Sequence, residues 1–107
     1  MKIKVLTPED HKDLMESNNA TGVYVYTNGC NLCKNQIKKL TSAGIKISGE
    51  VDCKLDAKYY LDLGYDDMPC TVLYVEGIKK FESTGEMFDL QIQNFKKMML
   101  SICEGKN

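Results

Sequence analysis

The sequence predicts an α/β protein, a central mixed β-sheet flanked by helices in the order β-α-β-α-β-α-β-β-α. Three observations carry that prediction. Val23-Tyr24-Val25-Tyr26 has the β-branched and aromatic composition of a strand, and Asn28-Gly29 then breaks the chain before a helical pattern. Thr71-Val72-Leu73-Tyr74-Val75 is the strongest strand signal, and Glu76-Gly77 turns it into a second short run, a hairpin. The earlier strands are separated by helical segments, which implies parallel pairing, whereas the closing hairpin is antiparallel.

The elements follow in order. Residues 2–6 alternate and read as a short strand. Thr7-Pro8-Glu9-Asp10 starts a helix: Thr7 caps, Pro8 suits the first helical position and acids fill the first turn. It ends near Ser17, before Asn18-Asn19, and its thin apolar face of Leu14 and Met15 places it on the surface, with His11 as a surface residue. Residues 21–27 form a second, central strand. The helix after Cys30 ends near Ala43-Gly44, where glycine takes the left-handed cap. Residues 45–53 read as a third strand, interrupted at Ser48-Gly49. Asp56 caps a short helix carrying Ala57, Tyr59, Tyr60 and Leu63, and Gly64 stops it. Residues 65–70 are a loop, residues 78–81 complete the hairpin, and Gly85 precedes the last helix. There Phe88, Ile92, Phe95, Met99 and Ile102 form one buried stripe, widened by Met98.

At 107 residues the chain is expected to be one domain, residues 1–107. A hydrophobic fraction of 43% and a charged fraction of 27% are ordinary for a soluble globular protein. With 14 basic and 15 acidic residues, nothing in the charge balance favours nucleic acid or an anionic membrane as partner. No apolar run approaches the ~20 residues of a membrane span, and the first ten residues turn polar too soon for a signal peptide. A cytoplasmic protein is expected, and a monomer.

Five cysteines without a secretion signal point away from a disulfide scaffold and toward catalytic or metal-binding use of a few of them. The chemistry concentrates at Cys30-Asn31-Leu32-Cys33. Cys30 stands at a helix start, where free backbone N–H groups favour a thiolate. Cys33 lies one turn further and shares the inward stripe of Ile37 and Leu40. The spacing therefore gives an exposed attacking thiol and an inner thiol that resolves the mixed disulfide. Lys34 adds some positive potential. Two plainer readings stand beside this one: half of a zinc site, which lacks a second ligand pair, and a structural pair of cysteines.

The residues resemble the thioredoxin superfamily. Cys30-x-x-Cys33 follows a strand and opens a helix, and Met68-Pro69 immediately precedes the strand-hairpin-helix ending; the likeness in element order covers nearly the whole chain. The resemblance implies a thioredoxin fold, a cis bond before Pro69, and Met68 as the residue that offers its backbone to substrate. The strand and helix ahead of the dithiol, and Gly85 before the last helix, resemble thioredoxin rather than glutaredoxin, as does the missing double glycine of a glutathione site. The Trp-Cys-Gly-Pro-Cys signature is absent, as are tryptophan itself and the Pro-Tyr dipeptide of glutaredoxins.

Thioredoxins keep a buried acid on the strand before the dithiol. The matching position is about Tyr24, which is no base near neutral pH. Glu50 on the third strand is the expected substitute proton acceptor, Asp52 the other candidate; an ordinary exposed carboxylate is the plainer reading of Glu50. Cys70, directly after Pro69, is either an accessory redox thiol or a small residue entering a buried strand. Cys53 and Cys103 read as core. Asp66 and Asp67 lie in the loop expected to face the dithiol, where they either tune it or are merely solvated, and Lys38 and Lys39 read as surface charge.

The implied function is reduction of protein disulfides by a cycling Cys30–Cys33 disulfide, with no bound cofactor and no metal. Electrons would come from a flavoenzyme resembling thioredoxin reductase, with glutathione the weaker candidate. A glutathione-dependent, glutaredoxin-like reductase and a non-catalytic binding module on the same fold are the alternatives.

Overall fold

A computed structural model describes residues 3–105, with side chains described through residue 102. Lys2, placed at the head of the first strand, and the side chain of Cys103, placed in the core, lie outside what is described. The elements are β1 (Val5–Leu6), α1 (Pro8–Ser17), β2 (Gly22–Thr27), α2 (Asn31–Ser42), β3 (Ile47–Asp52), a 3-10 turn (Cys53–Asp56), α3 (Ala57–Asp62), β4 (Cys70–Val75), β5 (Ile78–Thr84) and α4 (Asp89–Gly105). This is the expected order, and the expected α/β class.

The sheet runs β1-β3-β2-β4-β5, with β2 at its centre. β1 and β2 each pair in parallel with β3, through helical crossovers. β4 runs antiparallel to both β2 and β5. The hairpin turn uses positive φ at both Glu76 (51°) and Gly77 (81°), the geometry that matches strand twist. A Cβ at position 77 would lie 2.8 Å from the backbone of Asn18, so this turn needs glycine for space as well as for φ.

Both faces of the sheet are covered. Val23, Val25, Leu40, Ile45, Ile47, Leu73, Met87, Ile92 and Phe95 pack on the α2 and α4 side. Tyr24, Tyr26, Val51, Cys53, Tyr60, Tyr65, Cys70, Val72 and Tyr74 pack on the α1 and α3 side. Full burial of one such large side chain is worth about 1.5–3 kcal/mol.

Several sequence expectations need correction. His11 is 1% exposed rather than on the surface. Its Nδ1 pairs with the Tyr59 hydroxyl at 2.9 Å and its Nε2 with the Tyr26 hydroxyl at 2.7 Å, so both ring nitrogens are satisfied inside. Phe88 does not head the α4 stripe. It precedes the helix, its backbone N–H donating to Gln91 Oε1 at 2.8 Å, and its side chain is 65% exposed. The stripe begins at Ile92. β3 is shorter than expected, Cys53 having passed into the 3-10 turn, and the register jumps from Val23↔Ile47 to Tyr24↔Gly49, skipping Ser48. β5 runs on to Thr84 because Glu82, Ser83 and Thr84 find partners in Val72, Thr71 and Cys70. Lys39 is half-buried in an ion pair with Glu86 at 2.8 Å instead of being free surface charge.

Candidate active site

β2 delivers the chain to the site. After Thr27, Asn28-Gly29 reverses direction with Gly29 at φ +80°, and Cys30 becomes the N-cap of α2 in extended backbone. A cap residue offers a side-chain acceptor to the first free N–H groups, a task usually given to Ser, Thr, Asp or Asn. Here sulfur does it: Cys30 Sγ accepts from the backbone N–H of Cys33 at 3.1 Å. No acid occupies the first turn of α2, so nothing on that turn offsets the positive end of the helix dipole.

Cys33 is 1% exposed and Cys30 is half-buried. The two sulfurs are joined as a disulfide with Cα atoms 5.2 Å apart, within the usual range. Cys33 Sγ lies 3.7 Å from Asn28 Oδ1. In the disulfide that contact has no proton, but a reduced Cys33 thiol has an acceptor waiting there.

The antiparallel register of β2 and β4 pairs Tyr26 with Cys70, so Met68-Pro69 lies at the end of the sheet where β2 exits toward Cys30. The Met68–Pro69 peptide bond is cis, as the resemblance implies. Pro69 is buried and its carbonyl accepts from Gly85 N–H at 2.7 Å, which ties the start of β4 to the end of β5. Met68 is half-buried and, with Asn28, Cys53, Lys54, Ala57, Leu61, Tyr65 and Asp66, borders a shallow cavity of about 210 Å³. Leu32, between the cysteines, is 49% exposed.

The acid candidates divide by face. Glu50 is in register with Val25 on the α2 side, half-buried, and its Oε2 accepts from the Thr27 hydroxyl at 3.2 Å. Tyr24 points to the opposite face, packs edge-on against Tyr74, and burial raises its pKa. Asp52 is committed to the backbone N–H of Lys54 at 3.0 Å. Cys33 sulfur has a polar contact with Asn28, and Glu50 with Thr27.

Two further thiols are described beside the pair. Cys53 and Cys70 are free and buried, and desolvation pushes their thiols up to about 12 and about 11. Asp66 and Asp67 are exposed, and Asp66 borders the cavity. Among the described residues no cluster of three or more Cys, His, Asp or Glu could hold a metal ion.

Three residues at the site went unread in the sequence. Asn28 was legible only as part of a turn. Gln36 is fully buried one turn after Cys33; its Nε2 donates to Thr71 Oγ1 at 3.2 Å and its Oε1 accepts from Met87 N–H at 2.8 Å. Its place on the inward face, i+3 from Cys33, was a signal for it. Lys54 gave none.

Neither a family model nor a curated protein sequence matches the chain. Solved structures do. It is similar to a chloroplastic thioredoxin z at 15% identity over 94% of this chain and 96% of that one, TM-score 0.67. A thioredoxin variant from Halobacterium salinarum matches at 14% identity over 94% and 89%, TM-score 0.69. A thioredoxin from Trypanosoma brucei brucei matches at 14% identity over 92% and 91%, TM-score 0.69. The order of elements, the mixed five-stranded sheet and these likenesses agree: the chain has the thioredoxin fold.

Proposed function

We propose that the protein is a thiol-disulfide oxidoreductase that reduces disulfides in other proteins through Cys30 and Cys33. One observation carries the reading: a half-buried cysteine caps α2 and is bonded to a fully buried one, at the end of the sheet where Met68-Pro69 lies. In the reduced protein Cys30 loses its proton and attacks one sulfur of the substrate disulfide. A Cys30–substrate S–S bond forms, the substrate's own S–S bond breaks, and the departing sulfur takes up a proton. Cys33, deprotonated, then attacks Cys30 Sγ, closes the intramolecular disulfide and releases the second substrate thiol. Two electrons and two protons from a flavoenzyme resembling thioredoxin reductase reset the pair; glutathione is the weaker donor.

Met68 and Pro69 form the ledge on which the substrate strand lies. Glu50 is assigned as acceptor of the Cys33 proton, through solvent and the Thr27 hydroxyl rather than by direct contact. Cys70 takes no part in this cycle, and we place the protein in the cytoplasm as a single-domain monomer with no bound cofactor.

Insulin reduction with NADPH and a thioredoxin reductase, and separately with glutathione and its reductase, tests the proposal. The protein should turn over with the first donor system. Cys30→Ser should abolish turnover, and Cys33→Ser should trap a mixed disulfide on Cys30. Failure with both donors overturns the reading.

A further inference from the structure

Lys54 lies where the sequence gives no hint of it. The 3-10 turn after β3 carries its side chain across the Asn28-Gly29 reversal: a Cβ built at Gly29 would meet Lys54 Nζ at 2.9 Å, Cε at 3.2 Å and Cδ at 3.6 Å. Glycine at 29 thus leaves the slot that the lysine stem occupies, one residue ahead of Cys30. The side chain is exposed, and it borders the cavity shared by Asn28 and Met68. Its backbone is held by Asp52 Oδ1. Among the described residues its ammonium has no carboxylate within ion-pair distance, the two ion pairs being Lys39–Glu86 and Lys79–Glu82.

An uncommitted cation beside the cap of α2 has an obvious anion to serve. We propose that Lys54 is a positioning residue for the reaction, holding positive charge over the Asn28-Gly29 turn so that Cys30 is favoured as the thiolate. The inference rests on the reading of Cys30 as the attacking thiol. Charges on the neighbouring elements set the balance. Lys34 on α2 acts in the same direction. Asp66 and Asp67 ahead of β4, and Asp52 and Glu50 on β3, oppose it, with Asp66 bordering the same cavity. Lys54 differs from Lys34 in being laid along the turn by the shape of Gly29. When Cys30 ionises, its proton leaves to solvent and the negative charge stays on Sγ, so the lysine changes an equilibrium without exchanging atoms.

The test reads the thiol itself. In a reduced Cys33→Ser background, Cys30 is alkylated with iodoacetamide across pH 5–9, and peptide mass analysis separates it from the buried thiols. Lys54→Gln should move the midpoint up by about half a pH unit, the value of one charge at surface dielectric, and slow alkylation about threefold below the midpoint. Lys54→Glu should move it about twice as far, Lys54→Arg should restore the parent profile, and molar salt should collapse the differences. Parent, Lys54→Gln and Lys54→Glu profiles that superimpose would overturn the inference. The measurement uses no disulfide substrate, so a protein that fails in the insulin assay is judged separately from one whose Cys30 ignores Lys54.

Discussion

The two faces of the sheet use the same strands and opposite chemistry. β2 sets the pattern, with Val23 and Val25 toward α2 and α4 and Tyr24 and Tyr26 toward α1 and α3. The first face is hydrocarbon, closed by Leu40, Ile92 and the stacked pair Phe81–Phe95. The second is a core of phenols. Tyr59, His11, Tyr26, Tyr74 and Tyr65 form one continuous hydrogen-bonded chain, its links between 2.7 and 3.2 Å, and Tyr26 stacks on Tyr65 with centroids 4.0 Å apart. Period-two alternation usually separates inside from outside. Here both sides are buried, and alternation instead separates a core held by shape from a core held by partners.

The largest loss of stability is expected on the hydrocarbon face. Phe95→Ala should cost about 3–5 kcal/mol, transfer plus cavity, with no dependence on pH beyond that of the parent. Urea unfolding at pH 7 and pH 5 measures both; a loss near zero would mean that α4 is not what closes this face.

The phenol face should respond to acid instead. Burial lowers the His11 pKa from 6.5 to about 4. Between those values the unfolded chain binds the proton and the folded chain does not, so stability is complete above about pH 6.5. It falls as pH drops toward 4, by up to about 3 kcal/mol in all. His11→Gln keeps a hydrogen-bonding side chain but cannot titrate there, and it should flatten the slope while lowering stability at pH 7. A parent urea midpoint unchanged from pH 7 to pH 5 would refute a closed network.

The smallest effect sharpens the contrast by testing its exception. Gln36 is a buried amide on the hydrocarbon side, and Gln36→Leu strands the Thr71 hydroxyl and the Met87 N–H, at about 1–3 kcal/mol. Thermal melts of Gln36→Leu and Gln36→Glu would show whether the amide is held for its bonds, the charged variant being the worse of the two.

The same contrast explains what was legible in the sequence. Strand composition, the Thr7 cap, the dithiol at a helix start and Met68-Pro69 are local or carried by spacing, and they placed the fold and the centre of the site. Partnerships across the chain were not local. His11 looked like a surface residue because Tyr26 and Tyr59, which enclose it, are 15 and 48 positions away. Lys54 stands far from Gly29 in sequence, and only the 3-10 turn brings its side chain over. Tyr24 stands where an acid was expected, and its side chain goes to the face away from α2. A strand pattern says that sides alternate; the register to β3, with Ser48 skipped, decides what each side meets.

The placement of the phenols also makes the protein its own optical label. The chain has no tryptophan and six tyrosines, and all six belong to or pack against the α1 and α3 side of the sheet. Near-ultraviolet absorbance and intrinsic emission therefore view one half of the molecule. A loosening of α4 that left the phenols in place would be nearly dark, while opening of α1 would be bright. Paired with far-ultraviolet dichroism, which sees every helix, native tyrosine signal resolves which side of the sheet gives way first, without a single introduced chromophore.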